Sequence, residues 1–246
     1  MPKNENAAPL RLDRYLCESL QITRSQAKEL LSKGRVTVNG AVCKKADAKV
    51  SAANEVLAAG QAVRHQTFVY IMLDKPQGVV SASEDGRDTT VVDLVRPAHP
   101  RRQLFPAGRL DKDSTGFVLL TDDGNFAHDI LAPKRHVAKT YLVRIDTPLT
   151  QAMIDGFAAG VTLADGSLMQ PAQLSGFEDD PTLTRVVLTQ GVYHQINRMF
   201  GTFGAGVVSL RRVAIGALAL DDTLGPGGWR ELTPGEVAQI QEKPVF

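Results

Sequence analysis

The sequence predicts an α+β protein: a small basic N-terminal domain of two helices and a hairpin, followed by a larger domain with a mixed, mainly antiparallel sheet. A chain of 246 residues exceeds the usual size of a single domain. Positive charge is concentrated between residues 11 and 49, although the whole chain carries only +1. In the remainder, strand-like and helix-like runs do not alternate regularly, which disfavours a doubly wound parallel sheet. The expected organisation is a disordered tail at 1–9, the basic domain at 10–63, a linker at 64–67 and the larger domain at 68–246.

Hydrophobic residues at 43% and charged residues at 22% fit an ordinary globular protein and exclude disordered and fibrous classes. The longest apolar runs, such as Phe117 to Leu120 and Val213 to Leu220, are too short to span a bilayer. Met1 to Pro9 is polar, without the apolar centre of a signal peptide, so a cytoplasmic location and no membrane partner are expected. The two cysteines, Cys17 and Cys43, both lie near the N-terminus, which fits a reducing compartment. His65, His99, His128, His136 and His194 lack the paired short spacings of zinc sites, and no metal is expected.

From Arg11 to Lys49, nine basic residues face four acidic ones, a net charge of +5. Leu12, Tyr15, Leu16 and Leu20 recur at helical spacing. Ile22, Ala27, Leu30 and Leu31 do so again, with Thr23 or a neighbour as the cap and Gly34 as the stop. Arg35 to Val38 then alternates like a strand, Asn39-Gly40 is a strong hairpin signal, and Ala41 to Cys43 returns. Charge alone would equally suit a solvated helix face.

In the larger domain the strand candidates are Phe68 to Leu73, Phe117 to Thr121, Thr140 to Ile145, Thr184 to Leu188 and Val207 to Val213. Helix-like runs cover Asn125 to Leu131, Gln151 to Ala159, Gln195 to Phe203 and Glu236 to Gln241. Asp74 to Gly78 reads as a turn.

The segment Gly108-Arg109-Leu110-Asp111-Lys112-Asp113-Ser114-Thr115-Gly116, running into Phe117 to Leu120 and Thr121-Asp122-Asp123-Gly124, admits several readings. A polar turn feeding a strand is one. A calcium loop is another, but such a loop needs flanking helices, whereas Pro106-Ala107-Gly108 precedes this segment and an apolar strand lies within it. An aspartyl-nucleophile phosphatase would place its first Asp directly after a buried strand, a context that Gly108-Arg109 spoils.

The same segment closely resembles the catalytic motif of pseudouridine synthases of the RsuA type. Lys75-Pro76-Gln77-Gly78, Lys139-Thr140-Tyr141 and Gly191 to Phe200 match three further motifs of that family in the right order. The run from Arg11 to Gly40 resembles the αL RNA-binding module first recognised in a small-subunit ribosomal protein, the usual partner domain in this family.

The resemblance implies detachment of uracil from its ribose, rotation, and reattachment through a ring carbon, without a cofactor. It makes Asp111 the essential residue, as a nucleophile on the sugar or as a base forming a glycal. Tyr141 is implied against the target base, and Arg109 helps to hold the nucleotide out of its helix. Arg24, Ser25, Lys28, Lys33 and Arg35 are implied at RNA phosphates. The family generally places two basic residues after Gln-Ile, one of which pairs with the catalytic Asp, whereas this chain has Asn197 and then Arg198; Arg198 is the expected partner.

Tyr193-His194-Gln195, and Lys134-Arg135-His136 ahead of Lys139, resemble members acting on small-subunit (16S) rRNA. The implied partner is ribosomal RNA or a small-subunit assembly particle, met by a monomer. The alternatives are large-subunit (23S) rRNA and a non-catalytic rRNA-binding assembly factor.

Overall fold

A computed structural model of the chain describes residues 9–51, 53–63, 67–132 and 137–242. Positions 1–8 of the expected tail, 64–66 of the expected linker and Lys134-Arg135-His136 lie outside the described residues. The chain divides into two compact units, one of residues 1–68 with 98–102 and one of residues 69–97 with 103–246.

The first unit opens with β1 (Leu10–Arg11), α1 (Leu12–Leu20) and α2 (Arg24–Ser32). A full capping box starts α2: the Thr23 hydroxyl accepts from the Gln26 N–H at 3.1 Å, and the Gln26 side chain accepts from the Thr23 N–H at 2.8 Å. Strands β2 (Val36–Val38) and β3 (Ala41–Val42) pair through Asn39-Gly40, both at positive φ, as a type I′ hairpin requires. Beyond them lie β4 (Lys49–Val50), β5 (Val56–Ala58) and β6 (Gln61–Ala62). The sheet order is β3-β2-β5-β6, so the expected single hairpin is half of a four-stranded sheet. The added turn, Ala59-Gly60, holds an alanine at φ 50°, a conformation that its side chain gives no reason to expect. Leu12, Leu16, Leu31 and Val36 are fully buried at the centre of this unit.

The second unit runs β7 (Tyr70–Lys75), β8 (Phe105–Pro106), β9 (Thr115–Thr121), α3 (Gly124–Leu131), β10 (Lys139–Ile145) and α4 (Gln151–Ala159). It continues with β11 (Gln173–Phe177), β12 (Asp180–Leu188), α5 (Gln195–Gly201), β13 (Val207–Ile215), β14 (Leu218–Ala219), β15 (Trp229–Glu231) and α6 (Pro234–Gln239). The sheet path is β11-β12-β10-β13-β9-β7-β15, with β14 on β13 and β8 on β9. Among the described strands of this sheet only the β9–β13 pairing is parallel, so the sheet is mixed and mainly antiparallel.

Strand β9 shows why its apolar run is continuous rather than alternating. Val118 and Leu120 enter one core cluster with Ile71 and Leu73, whereas Phe117 and Leu119 enter another with Met72. A period of two sends successive side chains to opposite faces, and both faces are covered here. Met153 and Phe157 of α4 and Met199 and Phe200 of α5 pack on the first face; Ala127 and Ile130 of α3 pack on the second. Arg211 makes a bidentate ion pair with the buried Asp74, at 2.9 Å for each bond, and thus ties β13 to β7 across β9. No described helix is long and apolar enough to cross a membrane.

Candidate active site

Asp111 sits in the loop between β8 and β9, whose backbone is held from several sides. Ser81 Oγ donates to the Leu110 carbonyl at 2.8 Å and accepts from its N–H at 3.0 Å. The Gly78 N–H donates to the Lys112 carbonyl at 2.8 Å. Lys75, fully buried at the end of β7, donates its ammonium to the carbonyls of Ser114 at 2.6 Å, Pro76 at 3.1 Å and Lys112 at 3.3 Å. Arg212 of β13, only 2% exposed, donates to the carbonyls of Phe117 at 2.6 Å and Arg109 at 3.4 Å. The residues on either side of Asp111 are therefore anchored through their main chains, and the carboxylate faces outward on a fixed support.

That carboxylate, its side chain 39% exposed, opens on a cleft of about 480 Å³ lined also by Gln77, Ser81, Arg109, Asp113, Tyr193 and His194. The volume lies in the range of small-molecule sites and suits a single nucleotide. His194 Nε2 stands 3.5 Å from Asp111 Oδ1. Arg109 is exposed at the cleft, and no acidic partner holds it among the described residues.

Tyr141 lies on β10 between Val186 of β12 and Arg212 of β13. Its ring is buried at 8% exposure in the larger core cluster, outside the set of residues that line the cleft. The expected pairing of Arg198 with Asp111 is not formed. Arg198 pairs with Asp165, which also receives the Ser167 side chain. Arg198 is one turn further along α5 than His194, about 6 Å along the axis, and this carries its guanidinium to a different carboxylate. Asn197, the other candidate position, is exposed.

The sequence reading missed Lys75, Arg212 and His194 as parts of this site. Lys75 and His194 stand inside motifs of the family resemblance, which are the signal for them; Arg212 carries no local signal.

In the first unit, Arg24, Ser25, Lys28, Lys33 and Arg35 are all exposed, while Ala27 and Leu31 turn inward from α2. Lys33 is engaged at 2.5 Å with Glu29, one turn earlier. Among the described residues no group of three or more His, Cys, Asp or Glu side chains is placed to hold a metal ion.

Burial pushes the Lys75 ammonium down to about 8, partly opposed by Asp113 and Asp111. Burial also pushes Lys139 down to about 8, with the charge of Arg212 adding to the effect. Below pH 8 the folded and unfolded states both hold the Lys139 proton, and the folded state bears the full cost of burying it. Between pH 8 and about 10.5 the folded state releases that proton first, so stability rises with pH. Lys139→Met removes this dependence. The parent should gain on the variant by up to about 1.4 kcal/mol per pH unit across that window, as measured by urea unfolding at several pH values. A difference that stays constant with pH would contradict the assignment.

Comparison with known proteins identifies the family. The family model for RNA pseudouridylate synthases matches residues 69–202, and that for S4 domains matches residues 10–57. The chain is 40% identical to an uncharacterized RNA pseudouridine synthase, YtzG, of Bacillus subtilis, over 95% of this chain and 99% of that protein. It is 40% identical to the ribosomal small subunit pseudouridine synthase A of Vibrio cholerae, over 94% and 99% of the two chains. It is 39% identical to the protein of the same name from Yersinia pestis, over 94% and 98%. A crystal structure of a pseudouridylate synthase superposes with a TM-score of 0.66 at 35% identity, covering 94% of this chain and 99% of that one.

Proposed function

From the premise that the chain belongs to the RsuA-type RNA pseudouridine synthases and carries an S4 domain, we propose that it converts one uridine of small-subunit (16S) rRNA to pseudouridine. Family membership makes it an rRNA pseudouridine synthase. The choice of 16S rRNA is supported by the names of the Vibrio and Yersinia relatives and by Tyr193-His194-Gln195.

Asp111 is the nucleophile or base of the reaction. The observation that carries this is a cleft-facing carboxylate on a loop whose neighbouring carbonyls are held by two buried cations, Lys75 and Arg212. Such a support fixes the carboxylate against a sugar without reorganisation during the reaction. Arg109, exposed at the cleft and without an acidic partner among the described residues, contacts the flipped nucleotide. Tyr141 is assigned to the base by its Lys-x-Tyr motif alone, because its ring is buried on β10 outside the residues that line the cleft. Arg198, paired with Asp165, acts at a distance from Asp111 by holding the 163–168 turn against α5. Binding is assigned to residues 10–63 and chemistry to residues 68–246.

Pseudouridine mapping of rRNA from cells with and without the protein, by carbodiimide labelling and primer extension, tests the target. One 16S position should lose its signal; a position lost from 23S rRNA instead would overturn the assignment.

The exposed cations of α2 and the strand after it are assigned to RNA phosphates. Replacing Arg24, Lys28 and Arg35 together by Ala should weaken rRNA binding and flatten the dependence of log affinity on log salt. The slope should fall by roughly two to three, because each lost phosphate contact removes somewhat less than one released counterion. Filter binding between 50 and 200 mM salt measures this. An unchanged slope would take these residues off the RNA.

A further inference from the structure

We propose that the rings of Tyr193 and His194 form a platform on which the RNA base adjoining the target uridine stacks. The inference rests on the reading that the Asp111 cleft receives that uridine.

Tyr193 is 75% exposed, yet its ring stacks on His194, with centroids 3.9 Å apart and planes inclined by 17°. Successive residues seldom stack in this way. In a strand their side chains point to opposite faces, and in a helix they diverge by about 100°. Here the backbone of His194 is left-handed, at φ 50° and ψ 33°, immediately ahead of α5. That conformation is uncommon for a residue with a side chain, and it brings the two rings parallel.

The stack is joined to the chemistry at one end. His194 Nε2 lies 3.5 Å from Asp111 Oδ1, and both rings line the cleft into which Asp111 projects. His194 is thus covered on one face by Tyr193, while Tyr193 keeps its far face in solvent at the mouth of the cleft.

A nucleobase is the occupant that suits such a face. Turning one uridine out of its strand leaves the adjoining base with a bare π-surface, and an aromatic ring restores the lost stacking. Arg109, exposed at the same cleft, supplies a cation for the adjoining phosphates, whereas Lys112, also exposed there, is paired with Asp88 at 2.7 Å. Stacking tolerates any base, so the platform contributes affinity and orientation, not a choice of sequence.

The test compares Tyr193→Ala and Tyr193→Phe in the full chain, using unmodified 16S rRNA transcript and measuring both filter binding and single-turnover isomerisation. Tyr193→Ala should weaken half-saturation by about ten-fold or more, with less effect on the rate at saturation, and should leave the salt slope as in the parent. Tyr193→Phe, which keeps the ring, should restore most of the affinity. Unaltered half-saturation in Tyr193→Ala would overturn the platform, and so would a Phe variant as weak as the Ala variant. Asp111→Asn measured alongside separates the two readings. An inert Asn variant together with an unaffected Tyr193→Ala condemns the stack alone, whereas an active Asn variant condemns the reading of the cleft.

Discussion

Asp111→Asn should abolish isomerisation, a loss of at least about 10²–10⁴-fold, while RNA affinity stays within a few-fold of the parent. The amide keeps the shape of the carboxylate and much of its hydrogen-bonding reach, but it can neither attack the sugar nor take a proton at neutral pH. The fold has little reason to respond. The loop is held by Ser81, Lys75, Gly78 and Arg212 through the main chain of the neighbouring residues, and none of these contacts involves the Asp111 side chain. Affinity is assigned to Arg24, Lys28 and Arg35 of the other unit. Tritium release from rRNA labelled at uridine C5 reports the chemistry, and filter binding reports the affinity. If Asp111 were only a turn residue, Asn would serve equally well and activity would persist.

Gly116→Ala should be severely damaging, costing more than about 3 kcal/mol or preventing folding. Gly116 has φ +100°, a region that side chains avoid. A Cβ there would lie 2.2 Å from the Arg212 carbonyl oxygen and 2.9 Å from its nitrogen, both of them backbone atoms of the paired strand. Gly116 also faces Lys75 on β7, so it stands where three strands meet just beyond the catalytic loop. Any relief of the clash must part β9 from β13 and disturb the two cations that hold the loop. A melting temperature lower by roughly 10 °C, with activity lost in parallel, is expected. Gly124→Ala is the control: nothing lies within 4 Å of that site at the start of α3, and alanine favours the helix. Equal stability of the two variants would contradict the close approach.

The parts legible in the sequence were those fixed by local chemistry. Thr23 caps α2, Asn39-Gly40 forms its hairpin, and the helix-like run Gln151 to Ala159 gave both ends of α4. Phe68 to Leu73 read as a strand, but β7 is shifted to Tyr70–Lys75, because its end is set by pairing with β9 and by burial of Asp74 and Lys75, which look like turn residues. Strands β11 and β15 went unseen because their short segments carry mixed polarity and become strands only by pairing with β12 and β7. The hairpin at Ala59-Gly60 was missed because alanine is not a turn residue by composition.

The site divides in the same way. Asp111 and Arg109 stood in a motif that names them, and both line the cleft. Which basic residue approaches Asp111 was a question of helix phase and of which carboxylate lies in reach, and no spacing in the sequence answers it. Arg198 pairs with Asp165, and His194, whose approach depends on a left-handed backbone, comes to Asp111. The buried support from Arg212 depends on the parallel register of β13 against β9, a contact between segments far apart in the chain.

The most direct test incubates the purified chain, and separately Asp111→Asn, with unmodified 16S and 23S rRNA, then maps pseudouridine by carbodiimide labelling and primer extension. The account expects one new stop, in 16S rRNA, with the parent and none with the Asn variant. A stop that persists with Asp111→Asn, or one that arises only in 23S rRNA, would contradict it.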